Sequence, residues 1–322
     1  MADLSLRARP ARGEPAGPLA KIKSRSGPRR RQRALELLFL LPAIAYLVPF
    51  FGYPVVKNLL MGFQNYTTRT FYTGEAPWVG FDNYVTVVKS AVFDKALVNT
   101  LLFTVGSIAG QFVIGLAIAV YFRRRFPLAG VLRSLLLLPW LIPLIVSSAI
   151  WRWILDQDNG ALNRFLGGLH LIGDGRPGWL TSTSLALVAC IIVNVWIGIP
   201  FNTTILYGGL QNIPDELYEA AELDGATGWK AFRYITWPQL RPVVSVVLVL
   251  GVVYTLKVLD IILGLTGGGP ANATQTIATQ SYHLSFVEFD FGQGAALSNI
   301  LIVISALFAF IYLRANRRAL DE

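Results

Sequence analysis

Two ionisable side chains, Lys257 and Asp260, lie three residues apart in the apolar run 242–264. On a continuous helix that spacing puts them on one face, within pairing distance. Charge inside an apolar span is costly and tends to mark a function. Three readings remain open on spacing alone: a structural ion pair, an Asp260 that reaches outside water, and a polar path. Tyr254 stands one turn before Lys257, and Asn194 and Trp196 lie in the apolar run 183–207. Polar groups beside aromatic faces suit a polyhydroxylated solute, although helix–helix packing with hydrogen bonds uses the same residues. Covalent chemistry has little to work with. Cys190 is the only cysteine, so neither a disulfide within the chain nor a thiolate metal cage can form. His170 and His283 are far apart without Cys or His neighbours, which predicts loop residues rather than metal ligands. None of the 7 lysines completes G-x-x-x-x-G-K-[S/T], so the chain is not expected to hydrolyse ATP.

The elements that must position these residues are membrane spans. The 322 residues are 54% hydrophobic and 15% charged, with a mean hydropathy of +0.52, where a soluble domain carries about 25% charged residues. Apolar runs at 35–56, 97–122, 131–153, 183–207, 242–264 and 295–313 each approach the ~20 residues that cross a bilayer. The expectation is an all-α membrane protein of six transmembrane helices. It divides into a basic disordered tail (1–34), a first helix (35–57), an external loop (58–96), a core (97–313) with a polar loop at 208–241, and a tail (314–322). Pro139 and Pro143 interrupt the third run, as a kink or as a gate.

Charge sets the expected orientation. With the N-terminus inside, 20 of the 28 Lys and Arg fall on cytoplasmic segments, 7 fall outside and Lys257 lies within a span. The positive-inside rule then predicts that both termini and the loop 208–241 are cytoplasmic. This asymmetry also accounts for the net charge of +9 without nucleic acid as a partner.

The loop is the most polar long segment between spans. Pro214 suits a first helical turn, and Asp215, Glu216 and Glu219 sit where a helix N-terminus favours negative charge. Gly225 suits a left-handed helix end, Thr227 a second cap, and Pro238 a stop. A short helix, a turn and a second short helix are predicted, with the small Ala220 and Ala221 open to close approach by another backbone.

Glu219-Ala220-Ala221, then Asp224-Gly225-Ala226, then Phe232, Ile235 and Pro238 resemble the EAA signature of permeases of ATP-binding-cassette importers. Trp237 departs from the leucine usual before that proline. The stretches Leu138-Pro139-Trp140-Leu141-Ile142-Pro143, Ile150-Trp151-Arg152-Trp153, Gly160-Ala161-Leu162-Asn163, Leu265-Thr266-Gly267-Gly268-Gly269-Pro270 and Gly292-Gln293-Gly294-Ala295-Ala296 extend the likeness. They match carbohydrate-importing permeases of the maltose and glycerol-phosphate type over residues 35–318. The resemblance implies a type I importer permease fold in the bacterial inner membrane, with the loop as a coupling helix for a separate ATPase. It further implies a second homologous permease, two ATP-binding subunits that use ATP and magnesium, an extracytoplasmic sugar-binding protein, a sugar substrate, and no cofactor on this chain. The alternatives are an ion-gradient-driven secondary transporter and an importer of a polyol or glycerol-phosphate.

Overall fold

The computed structural model describes residues 29–124, 126–173 and 175–315. The expected tail 1–34 lies mostly outside the described residues, as does most of the tail 314–322. The chain divides after Pro54 into two units. In the first, the helix Arg29–Leu47 leads into a π-helical turn, Val48–Gly52. Proline near the start of that turn has no N–H to offer, and the wide turn accommodates it. Tyr46 stacks on Phe50 there at 4.9 Å.

The second unit is helical, and among the described residues the only β-pairing is two isolated bridges, Gln64–Trp78 and Thr67–Asp290. Its centre is the pair Phe93–Phe122 and Ala186–Gln211. Small residues let these backbones approach closely. A Cβ on Gly110 would meet Val195 Cγ2 at 2.7 Å, and one on Gly115 would meet Asn202 Cβ at 2.8 Å. Helices Trp229–Leu256 and Phe291–Tyr312 complete the long apolar elements of this unit, while the apolar stretch Leu38–Met61 contains the division point. Together these make five helices, among the described residues, long and apolar enough to cross a membrane, or six if a bent pair counts as one span.

That bent pair is the interrupted third run. Ala129–Leu141 and Leu144–Ile154 meet at 96°. Ile142 and Pro143 are both extended, with ψ of 131° and 137°, because a residue before proline is driven out of the helical region. The run forms a sharp elbow instead of a mild kink.

The fifth run also breaks, against expectation. Its helix ends at Leu256, and a separate short helix, Asp260–Leu265, follows. Lys257 and Asp260 therefore do not share a helix face. No proline or glycine marks residues 257–259; the break lets both charges turn to a cavity instead of lying in an unbroken apolar helix.

The predicted loops carry structure of their own. Phe63, Trp78, Phe81 and Tyr84 pack as an aromatic cluster, with Phe63 stacked on Trp78 at 5.4 Å. The turn at Gly267 (φ +63°) and Gly268 (φ +91°) leads to a helix, Ile277–Phe286. That turn is fixed to the start of the second long helix: Asn99 Nδ2 donates to Gln275 O at 2.9 Å and Lys95 Nζ to Ala271 O at 2.8 Å. His283 lies on this helix, not in a loop, with Nδ1 3.0 Å from Glu288 Oε1, whereas His170 occupies a turn at φ +56°.

Candidate functional site

The polar loop begins with a helix, Asp215–Leu223, that starts one residue after Pro214, which serves as its cap. Its end is a Schellman turn. Gly225 takes φ +71°, its N–H reaches Glu222 O at 3.0 Å, and Ala226 N–H reaches Ala221 O at 2.8 Å. Two expectations fail beyond this point. Thr227 does not cap through its side chain: Gly228 takes the N-cap position, and Lys230 N–H bonds to the Thr227 carbonyl. Pro238 does not stop the helix either. A π turn, Phe232–Thr236, carries the chain directly into Trp237–Leu256, with the proline in the first turn where its missing N–H costs little.

Of the signature residues, Glu219, Ala220, Asp224 and Gly225 are exposed, and Ala226, Phe232 and Pro238 are half-buried. Ala221 is buried within the chain. The most exposed large apolar side chains of the loop are Leu223 and Trp229, at 90% and 72%, which sequence reasoning did not single out. Trp229 stacks on Phe232 at 5.1 Å.

Arg123, at the end of Phe93–Phe122, holds this loop to the helices. Its guanidinium lies 3.5 Å from the Tyr218 ring centroid, and its Nη2 lies 3.2 Å from Asp215 Oδ1. Tyr218 Oη also lies 2.8 Å from Thr236 Oγ1. The side chain of Asp215 is 76% exposed, so the ion pair adds at most about 1 kcal/mol and the ring contact roughly as much. Several modest contacts thus join the loop to the ends of two long helices.

A second feature is a cavity of about 580 Å³ among the long helices. Four of the five expected path residues line it: Asn194, Tyr254, Lys257 and Asp260. Trp196 does not; it packs edge-on against Trp151 at 5.5 Å in an apolar cluster. The cavity also takes in Gln111, Trp140 and Phe201, which the sequence did not bring forward. The aromatic wall is continuous, with centroids 6.2 Å apart for Trp140 and Phe201 and 6.1 Å for Phe201 and Tyr254. Lys257 Nζ sits 5.0 Å from the Tyr254 ring centroid rather than on Asp260. Gln111 Nε2 donates to Asn194 O at 3.0 Å, while the buried Asn194 Nδ2 has no hydrogen-bond partner among the described residues. An unsatisfied buried amide costs about 1–3 kcal/mol, and a rotation of Asn194 that brought its amide to a hydroxyl in the cavity would recover part of that cost.

Apolar helices long enough to cross a membrane, a polar loop fixed to their ends and a polar–aromatic cavity among them are features a transport subunit needs. Comparison with known proteins agrees. Residues 111–321 match the family model described as binding-protein-dependent transport system inner membrane component. The chain is 34% identical over 293 residues to a probable ABC transporter permease protein of Brucella suis biovar 1, covering 90% of this chain and 99% of that protein. It is 34% identical over 287 residues to the trehalose/maltose transport system permease protein MalF of Thermococcus litoralis, covering 89% and 95%. Among solved structures, a bacterial ABC transporter involved in the import of the acidic polysaccharide alginate matches with a TM-score of 0.77 at 24% identity, over 89% of this chain and 96% of that one. The chain belongs to the family of inner membrane components of binding-protein-dependent transport systems. It has the ABC importer permease fold, and the ion-gradient alternative falls with this membership.

Proposed function

We propose that the chain is a permease subunit of an ATP-driven carbohydrate importer in the bacterial inner membrane. It spans the membrane six times, with the elbowed Ala129–Leu141 and Leu144–Ile154 as its third crossing and both termini cytoplasmic. A second, homologous permease completes the translocation path. Of two ATPase subunits, one engages this chain's loop at Glu219, Ala220, Asp224 and Gly225 and the other serves the partner permease, and a binding protein delivers sugar from outside. ATP and magnesium act on those ATPases; this chain contributes a path and a lever.

The observation that carries this reading is the cavity's composition. An aromatic wall offers stacking faces, Asn194 offers an unused amide, and Lys257 and Asp260 offer opposite charges that are not spent on each other. With one cation and one anion the lining is close to neutral, which suits a neutral polyhydroxylated solute better than a phosphate ester. The trehalose/maltose permease of Thermococcus litoralis points to the same substrate class.

The test is reconstitution of this chain with its partner permease, ATPases and binding protein in liposomes. Uptake of an oligosaccharide should require ATP inside the ATPase-facing compartment and should fall at least about tenfold in Asn194→Leu, the rate equivalent of ~1.4 kcal/mol. Undiminished uptake by that variant would remove the cavity from the path. Uptake by the lone chain without ATP would overturn the importer reading.

A further inference from the structure

A second cavity, of about 570 Å³, opens where the helices Phe93–Phe122, Ala129–Leu136 and Ala186–Gln211 end or begin. Three guanidinium groups line it, Arg123, Arg124 and Arg133, against a single carboxylate, Asp215. Arg123 is already committed to that carboxylate and to Tyr218. Arg124 and Arg133 have no acidic partner among the described residues, which leaves the cavity with two uncompensated positive charges.

The hydrogen bonds around Tyr207 point the same way. Its hydroxyl oxygen accepts from the Arg133 guanidinium and from Gln211 Nε2, the latter at 3.0 Å. With its oxygen accepting twice, the phenol proton is left to donate, and no acceptor for it exists among the described residues. Arg133 is held in place, since its Nε also donates to Ala129 O at 3.2 Å. Two cations and one hydroxyl donor thus line one recess, and a tetrahedral anion there has acceptors to offer them.

The surroundings are apolar on one side only. Leu128 is 71% exposed at the rim, and Val131, Leu132 and Leu135 continue an exposed stripe along the helix Ala129–Leu136. Basic recess and apolar stripe together match an amphiphile whose charged end is a phosphate. Basic pockets between membrane helices take such headgroups.

We propose that this cavity binds the phosphate headgroup of an anionic phospholipid, with the acyl chains along Leu128, Val131, Leu132 and Leu135. Arg133, Arg124 and the Tyr207 hydroxyl hold the phosphate. The proposal rests on the coupling loop, which shares Asp215 with the cavity, facing the cytoplasmic leaflet. Thiol labelling of the loop checks that placement separately, so the two can fail independently. Because Arg123 touches both the cavity and the loop, an occupied site would lie next to the contacts that hold the coupling helix.

The test uses the assembled transporter in nanodiscs of phosphatidylcholine containing a minor fraction of phosphatidylglycerol. Native mass spectrometry of the released complex counts retained lipid. The parental complex should keep phosphatidylglycerol selectively. Each arginine near an anionic lipid is worth about fivefold, so the double substitution Arg124→Gln with Arg133→Gln should lose about 30-fold in retention. Arg133→Lys, which keeps the charge, should retain most of it and guards against misfolding as the cause. Equal retention by the parent and the glutamine variant would overturn the site. Displacement of the lipid by inorganic phosphate would overturn the lipid assignment in favour of a soluble phosphate, and selective retention of phosphatidylcholine would refute the charge argument.

Discussion

Replacing Gly225 tests whether the loop's function depends on backbone shape or on surface fit. The residue sits at φ +71°, and a Cβ added there meets nothing within 4 Å. Inside this chain the penalty is therefore torsional and not steric. A left-handed conformation costs a residue with a Cβ roughly 1–2 kcal/mol, with β-branched residues at the upper end and asparagine lower. Leaving that conformation would break the bonds to Glu222 O and Ala221 O, at about 0.5–1.5 kcal/mol each. Only in the second case would the helix end at Leu223 and Asp224 be displaced; in the first the native turn is kept at the torsional cost. If the ATPase binds the native turn, Gly225→Val should weaken association by about 5- to 30-fold, while membrane insertion, set by the apolar spans, stays normal. The order of damage should be Val, then Ala, then Asn, although Asn is larger than Ala. Co-purification of the ATPase and sugar-stimulated ATP hydrolysis read both quantities. Losses that follow side-chain volume, with Asn worse than Ala, would refute the backbone argument and assign the effect to crowding at the docking surface. A Gly225→Val complex at the parental level in both assays would make the loop a mere connector.

Single cysteines at Asp158 and Glu222 in a Cys190→Ala background should be labelled in intact cells by an impermeant thiol reagent only at position 158; labelling at 222 alone would reverse the proposed orientation. Because Lys257 and Asp260 do not pair, Lys257→Met and Asp260→Leu should each reduce transport, and the double variant should not recover it; full transport by the double variant would exclude the pair from the path. Tyr218→Phe removes the hydroxyl 2.8 Å from Thr236 Oγ1 and should lower ATP-coupled transport by about fivefold, or ~1 kcal/mol, with ATPase co-purification little changed; unaltered transport would show that the contact carries no coupling. Gly110→Leu must displace Val195, since a Cβ alone would lie 2.7 Å from its Cγ2; overpacking of about 1–3 kcal/mol should lower the melting temperature in detergent, and an unchanged value would contradict the close approach of these helices.

What the sequence disclosed depended on how local the physical signal was. The left-handed helix end was legible because one glycine in a polar stretch decides it, and the interruption of the third run because Pro143 restricts its predecessor, although the sharpness of the elbow was not. The fifth run misled for the same reason. With no proline or glycine at 257–259, the i,i+3 rule placed Lys257 and Asp260 on one helix, whereas the cost of two charges in an apolar helix is met by breaking it. Trp196 and Asn194 differ by two positions, about 200° around a helix, so both could not face one cavity on a regular helix; the aromatic belonged to the packing side with Trp151. That geometric test was available from spacing alone. The Arg123 contacts were not, because they join residues 92 positions apart, and in the sequence that arginine counted only toward charge asymmetry. A basic residue at a span end serves topology without further contacts; here the guanidinium is also stacked on the loop's own tyrosine. One of the charges behind the proposed orientation and the contact that holds the proposed coupling helix are therefore the same side chain, and Arg123→Lys should separate them. Lysine preserves the positive charge but not the planar stacking and fork, so insertion should remain normal while ATP-coupled transport falls. If coupling is untouched in Arg123→Lys, the ring contact is incidental and the arginine serves topology alone.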